Sequence, residues 1–338
     1  MLLKSFDKGG PHILIVGTGS AGKRYARNFR NLGCRISVCD PREDRLHEAE
    51  KEGPIYGKHT NLEQALSAKG YDGIVIASPP SYHVDQVLRV LAGGIKWVLC
   101  EKPLSINASE ARKLEPYANS VLLAYTYRWW PPIQTFRERL RAGEIGLIRS
   151  LRFVMSAHLE DWHPWERYQD FFMSRRDLGG GALLDESHFI DLMLWMLGAP
   201  SKIYAQVDKI SGLEIDSDDN VDILASYANG IRVNLHLDLI GRPHARNITA
   251  VGEGGTLAYS YEENVVRAGH GDRQGWETVQ YDCERNDMFV GAAKEFLALI
   301  RGINTGPTCT IKDGIQTLAV VDACRQSTQT GRAVALEA

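Results

Sequence analysis

A lysine, an aspartate–histidine pair and a spaced set of glycines are the residues of this chain whose types and positions could do chemistry. Gly17, Gly19 and Gly22 stand at G-x-G-x-x-G spacing within Gly17-Thr18-Gly19-Ser20-Ala21-Gly22. In such a unit the first glycine permits a tight turn, the second lets a pyrophosphate approach bare backbone, and the third allows close helix–strand packing. Asp40 follows 18 residues after Gly22, the interval at which a carboxylate accepts hydrogen bonds from a ribose diol. Lys102 lies between a short apolar run and Pro103. Asp185, His188 and Asp191 recur at intervals of three, which on a regular helix puts them on one face. A helical metal site could show the same pattern. A zinc hydrolase, however, would want a third convergent ligand and a second histidine; H-x-x-x-H is absent, and no metal is expected.

The elements around these residues decide which chemistry is meant. Ile13-Leu14-Ile15-Val16 reads as a strand buried on both faces, Lys23 to Leu32 as a helix, and Arg35 to Cys39 as a second strand ending in Asp40. Strand, glycines, helix, strand and acid in that order predict a dinucleotide on the helix N-terminus. Asp40 would repel a 2′-phosphate, so NAD is expected ahead of NADP. Arg42 and Arg45 either form a solvated first helical turn or partly reverse that preference. Tyr71 to Ser78 reads as the next strand, and its end places Ser78 and Pro79 at the nicotinamide half of the crevice. His83 either touches substrate or cofactor or belongs to the first turn of the following helix. Trp97 to Cys100 is another strand, ending in Glu101-Lys102-Pro103. A lysine at that end faces the crevice, and the proline holds it extended.

Composition narrows the class of protein. At 338 residues the chain suits two domains. Net charge is −3, from 39 basic and 42 acidic side chains, and no basic run supports a nucleic-acid partner. No apolar stretch is long enough to span a bilayer, and the N-terminus lacks a signal-peptide core. The six cysteines include no C-x-x-C pair. This suits thiols in a reducing cytoplasm, the expected location, better than a disulfide framework or a zinc site.

Gly17 to Gly22, Ser78-Pro79 and Glu101-Lys102-Pro103-Leu104-Ser105 together resemble the Gfo/Idh/MocA family of NAD(P)-dependent oxidoreductases, which act mostly on sugars and cyclitols. The resemblance covers nearly the whole chain, and E-K-P is its most specific element. It implies an α/β protein: a Rossmann dinucleotide-binding domain over 1–124 and a substrate-binding and oligomerisation domain with a large, mostly antiparallel open sheet over 125–338. It also implies a homodimer or homotetramer. Residues carried over are Lys102 at the active site, Arg128 on its floor, and His188 as catalytic histidine. The family separates its first acid from that histidine by four residues, whereas Asp185 and His188 are three apart. His188 and Asp191 keep the family's His-x-x-Asp interval. If the helix is regular, Asp185 still shares a face with His188.

The second half offers substrate contacts. Leu147 to His158 alternates as a strand, with Leu151, Phe153 and Met155 on one face. Across 161–178, Trp162, Trp165 and Tyr168 either stack on a sugar or anchor a long loop. His163, Arg175 and Arg176 bind hydroxyls or phosphate, or lie in solvent. Gly179-Gly180-Gly181 reads as a flexible lead into the helix of Asp185 and His188. Asn229-Gly230 predicts a hairpin, and Met288–Arg301 and Ile311–Thr328 read as closing helices. The leading expectation is an NAD-dependent dehydrogenase oxidising a secondary hydroxyl of a sugar, cyclitol or nucleotide-activated amino sugar, with the 3-hydroxyl of a UDP-linked amino sugar as one candidate. His188 would be general base, Asp185 its orienting acid, and Lys102 the group that steadies charge on the reacting oxygen. A sugar sensor or co-regulator, or an epimerase or hydrolase using NAD transiently, are the alternatives.

Overall fold

The computed structural model describes residues 10–162, 166–271 and 274–336. Its contacts divide the chain into two compact units. The first holds the described residues up to Thr126 together with Asn286–Ile315; the second holds Tyr127–Arg285 and the described residues from Gln316 onward.

In the first unit, strands and helices alternate: β1 (His12–Val16), α1 (Ser20–Asn31), β2 (Arg35–Cys39), α2 (Glu43–Lys51), β3 (Gly57–His59), α3 (Leu62–Ala68), β4 (Gly73–Ile76), α4 (His83–Ala92), β5 (Val98–Glu101), α5 (Ala108–Ala111) and β6 (Val121–Ala124). The six strands are parallel in the order β3-β2-β1-β4-β5-β6. Ile13, Leu14 and Ile15 are wholly buried, as a parallel sheet covered on both faces requires. The order reverses beside β1, the topological switch point at which such sheets bind ligands. Register then gathers the site. Val16 lies level with Cys39 and Ile76, and Ile76 with Cys100. The loops that follow, carrying Gly17, Asp40, Ser78 and Lys102, therefore emerge along one edge. After α5, Arg112–Tyr117 is a 3₁₀ turn containing Pro116, which has no N–H for an α-helical bond.

The second unit contains α6 (Pro131–Arg141), β7 (Ile148–Ser156), α7 (Ala182–Asp185), α8 (Ser187–Leu197), β8 (Lys202–Asp208), β9 (Asn220–Ser226), β10 (Arg232–Asp238), β11 (Ala245–Gly252), β12 (Gly255–Ser260), β13 (Val265–His270) and β14 (Glu277–Gln280). After α9 (Arg285–Ile300) and α10 (Ile311–Thr330), β15 (Val334–Ala335) completes a nine-stranded sheet ordered β14-β13-β12-β11-β7-β10-β9-β8-β15. Every pairing is antiparallel except β7 with β10. Leu151, Phe153 and Met155 are buried on one face as their alternation predicts, joined by Val233, Leu235 and Leu237. Asn229-Gly230 does turn β9 into β10. The sequence reading places no strands over β8, β13 or β14.

The segment 286–315, expected in the second domain, groups with the first unit. Phe296 of α9 packs edge-on to Phe29, and Phe289 to Tyr25. Leu123 N–H of β6 donates to Cys309 O at 2.9 Å. A side chain at Gly73 would strike Phe296 and Ile300. No described helix is long and apolar enough to cross a membrane.

Candidate active site

The glycine loop has the shape of a phosphate cradle. Gly17 takes φ +87, and a Cβ there would meet Ala77 O at 2.6 Å; a Cβ on Gly22 would fall 1.8 Å from Gly17 O. At Gly19 only the tip of Arg45, at 3.7 Å, comes within 4 Å. Helix α1 starts at Ser20 with no side-chain cap, so the N–H groups of Ser20, Ala21 and Gly22 can serve an anion. These features fit a bound dinucleotide.

Asp40 is 3% exposed. Its Oδ2 accepts from Thr18 N–H at 2.7 Å and Thr18 Oγ1 at 3.0 Å, while Oδ1 accepts from Arg42 N–H at 3.0 Å. The acid at the end of β2 thus pins the glycine loop, a duty beyond the ribose contact expected of it. Arg42 is paired with Asp44 at 2.5 Å.

His83 has no exposed surface. Its Nδ1 lies 2.8 Å from Pro103 O and its Nε2 2.8 Å from Ser78 O. Burial pushes the imidazole down to about 4, against the pull of both carbonyls. Of the two roles left open by sequence, the helical first turn is the one observed: the side chain ties the end of β4 to the segment after Lys102. The Ser78 hydroxyl donates to Gln86 Oε1 at 2.6 Å, and Pro79 lies half-buried beside it. Glu101 faces inward, and its Oε2 accepts from Lys102 N–H at 3.2 Å. Burial raises its pKa while the Lys102 charge lowers it. Lys102 itself is half-buried.

In the second unit, the helix expected through Asp185 and His188 is broken. α7 ends at Asp185, Glu186 takes φ −90 and ψ 16, and α8 starts at Ser187. Asp185 and His188 therefore do not share the face of one regular helix, because their shortened spacing is absorbed by that break. Asp185 is 3% exposed and His188 half-buried. The glycines before α7 are not loose either. Gly181 takes φ +107, and a Cβ there would meet Asp218 Oδ1 at 2.5 Å; one on Gly180 would meet Met173 O at 2.3 Å. Asp218 Oδ2 accepts from Leu183 N–H at 2.8 Å, so this carboxylate serves the start of α7. Close packing, not flexibility, is what the glycines supply.

His188 packs against Tyr127, ring centroids 5.1 Å apart and edge-on. The neighbouring Arg128 is buried and bidentate to Asp191, Nε–Oδ2 2.9 Å and Nη2–Oδ1 2.7 Å. Arg128, expected on the floor of the site, gives two donors of its fork to α8. Arg175 is likewise bidentate to Asp177, at 3.1 and 2.7 Å, and exposed. Arg176 is exposed as well. Trp162 is half-buried, its indole N–H buried without a hydrogen-bond partner among the described residues. His163 and Trp165 lie outside the described residues. Among the described residues no group of three His, Cys, Asp or Glu side chains could hold a metal ion.

Sequence reasoning missed three residues near His188. Tyr261 lies 6.1 Å from Tyr127 and 5.5 Å from Trp130, and the Arg246 guanidinium sits 4.5 Å over its ring. Burial raises the pKa of the Tyr127 hydroxyl, and the Arg246 charge draws it back. Tyr127 directly precedes Arg128, which the resemblance did carry over. Arg246 and Tyr261 meet across a strand pair, which no local pattern announces.

Comparison with known proteins bears on the family and the fold. Residues 12–125 match the oxidoreductase family with an NAD-binding Rossmann fold, and residues 133–258 match the GFO/IDH/MocA C-terminal domain. The chain is 31% identical over 227 residues to the rhizopine catabolism protein MocA of Rhizobium meliloti, covering 64% of this chain and 67% of that one. Levoglucosan dehydrogenase in complex with NADH has the same fold, with TM-score 0.86 at 17% identity over 97% of this chain and 99% of that one. So does the WlbA dehydrogenase of Bordetella pertussis in complex with NADH and UDP-GlcNAcA, with TM-score 0.79 at 18% identity over 97% and 99%. With its NAD-binding Rossmann unit and its mostly antiparallel second sheet, the chain belongs to the Gfo/Idh/MocA family of sugar and cyclitol oxidoreductases.

Proposed function

We propose that this enzyme oxidises a secondary hydroxyl of a sugar, cyclitol or nucleotide-activated sugar, with His188 as general base and Lys102 as the hydrogen-bond donor to the reacting oxygen. The observation that carries the reading is that the first unit holds an NAD cradle at the edge from which Lys102 emerges, and the second, taken by itself, holds a half-buried histidine seated on Tyr127. NAD, when bound, accepts hydride. The glycine loop and the start of α1 would hold its pyrophosphate, Asp40 its adenosine ribose, and Ser78 and Pro79 the nicotinamide half. His188, as a neutral imidazole, takes the hydroxyl proton at a working pH near its usual pKa of about 6.5. Lys102 offers an N–H to the same oxygen as negative charge develops there. Asp185 steadies the histidine once it is charged.

Oxidation of a UDP-linked amino sugar at its 3-hydroxyl draws support from the fold shared with WlbA. It draws none from Arg175, whose fork already holds Asp177. A sensor would not need both Lys102 and His188, which favours the enzyme over that alternative. A reducing cytoplasm suits six free thiols. A homo-oligomer suits the open sheet face, where Tyr204, Leu224 and Val251 are 38–53% exposed. The test is NADH formation by purified protein with free sugars, inositols and nucleotide sugars. A product at the same net oxidation level as the substrate, with no net NADH, would favour the epimerase or hydrolase instead. No turnover of any kind, with NAD bound, would favour the sensor.

A further inference from the structure

The second unit half-buries Arg246 without giving it a close acid. Arg128, Arg139 and Arg242 each hold a carboxylate oxygen at 2.8 Å or less. Arg246 is about as enclosed as Arg139, its side chain 16% exposed against 15%, yet the nearest carboxylate oxygen among the described residues, Glu262 Oε1, is 3.6 Å from Nη1. The other Glu262 oxygen is taken by the Arg246 backbone N–H at 2.9 Å. Among the described residues, the one further polar contact of the guanidinium is with His244 Nδ1, at 3.4 Å. Its flat face rests on Tyr261, a geometry that fixes the plane and leaves the donor edge of the fork in position for two parallel bonds. Enclosing a cation is costly unless charge-assisted hydrogen bonds offset the lost hydration.

The location gives this arginine a role. From His188 the ring contacts run to Tyr127, then Tyr261, then Arg246. The Arg246 charge is felt by Tyr127 and by Glu186, at the break between α7 and α8. We propose that Arg246 is a specificity-determining residue that binds an oxyanion on the substrate, a carboxylate or phosphoryl group borne by a different carbon from the one oxidised. The inference rests on His188 marking the substrate site, and narrows the substrate class to anionic sugars. Two aromatic rings separate the histidine from the guanidinium, so the anion cannot sit on the reacting centre. A planar fork suits both groups.

The test uses full-length protein loaded with NADH, as wild type, Arg246→Gln and Arg246→Lys. Each is titrated calorimetrically with myo-inositol, D-glucuronate, D-glucose 6-phosphate and UDP-N-acetylglucosamine, and each probe is assayed for NADH formation with NAD. At least one anionic probe should bind wild type more tightly than inositol and weaken tenfold or more in Arg246→Gln. Arg246→Lys should lie between, and added salt should weaken wild type more than Arg246→Gln. Glucuronate would mark a carboxylate, and the other two anions a phosphoryl group. Unchanged NADH affinity and melting temperature show that the variants are folded. The proposal is overturned if inositol binds best, or if Arg246→Gln leaves the anionic affinities unchanged. Turnover of a neutral sugar in either case would leave the dehydrogenase reading standing. Failure of all four probes to bind or react would remove both.

Discussion

Single residues carry the chemistry, and their substitution gives the sharpest outcomes. Removing a general base costs about 10²–10⁴ in rate, so His188→Ala should lose turnover on that order while NADH binding persists. Lys102→Ala should behave the same way if its bond matters chiefly as charge develops. Steady-state kcat beside NADH titration checks both, and near-normal turnover in either variant removes that residue from the mechanism. Asp40 joins two duties, since it holds Thr18 N–H as well as standing where the adenosine ribose is expected. Asp40→Ser should therefore weaken NADH more than NADPH, narrowing the preference. It should also cost about 1–3 kcal/mol of stability through the buried N–H left without its acceptor. Comparable binding of both cofactors by wild type would count against Asp40 as the discriminating residue.

At the scale of elements, two arrangements can be tested by stability alone. Gly181 leads into α7 at φ +107 with Asp218 against it. Gly181→Ala should destabilise by about 2 kcal/mol or more, from backbone strain and the displaced acid. Denaturant unfolding reads this directly, and a neutral change would mean that the approach to α7 is loose after all. On the neighbouring strands β9 and β10, His236 faces Asp222 directly, Nδ1–Oδ1 2.8 Å, and Nε2 lies 3.0 Å from Asp238 Oδ2. The hydrogen bond to Asp238 leads in raising its pKa to about 9, against burial and with help from Asp222. A raised folded-state pKa means stability that is fully present below the unfolded value of about 6.5 and lost as pH climbs through 9. Discounted for solvent, the contribution is on the order of 1–2 kcal/mol. Wild type should exceed His236→Gln by that margin at pH 6, and the gap should close by pH 10. A constant gap would show that the imidazole contributes by packing.

The whole chain is threaded so that its first unit needs a late segment. Phe296 and Phe289 cover Phe29 and Tyr25, and Cys309 accepts a bond from β6. A fragment ending at Thr126 would expose those aromatics and leave Leu123 N–H without its acceptor. It should unfold without a sharp transition and bind NADH weakly, whereas a fusion of 10–126 to 286–315 should recover both properties. Calorimetry and near-ultraviolet circular dichroism decide this, and cooperative melting of the short fragment would show that β1 to β6 suffice.

Local patterns in the sequence were enough to determine the glycine cradle, the apolar runs of β1, β2, β4 and β5 behind it, Lys102 at a strand end, and the Asn229-Gly230 turn. Each of these depends on residues close along the chain, where strand period, turn chemistry and the lack of a Cβ act directly. Tertiary structure decided what charged groups do once packed. Arg128 meets Asp191 across 63 positions, Asp218 reaches back 35 to α7, and Arg246 lies over Tyr261 through strand pairing. An arginine's partner is chosen by whichever acid the fold brings within about 3 Å, a distance that sequence spacing does not encode. The break at Glu186 has the same origin, for the three-residue interval from Asp185 to His188 reads as one helical face until packing fixes where the helix stops.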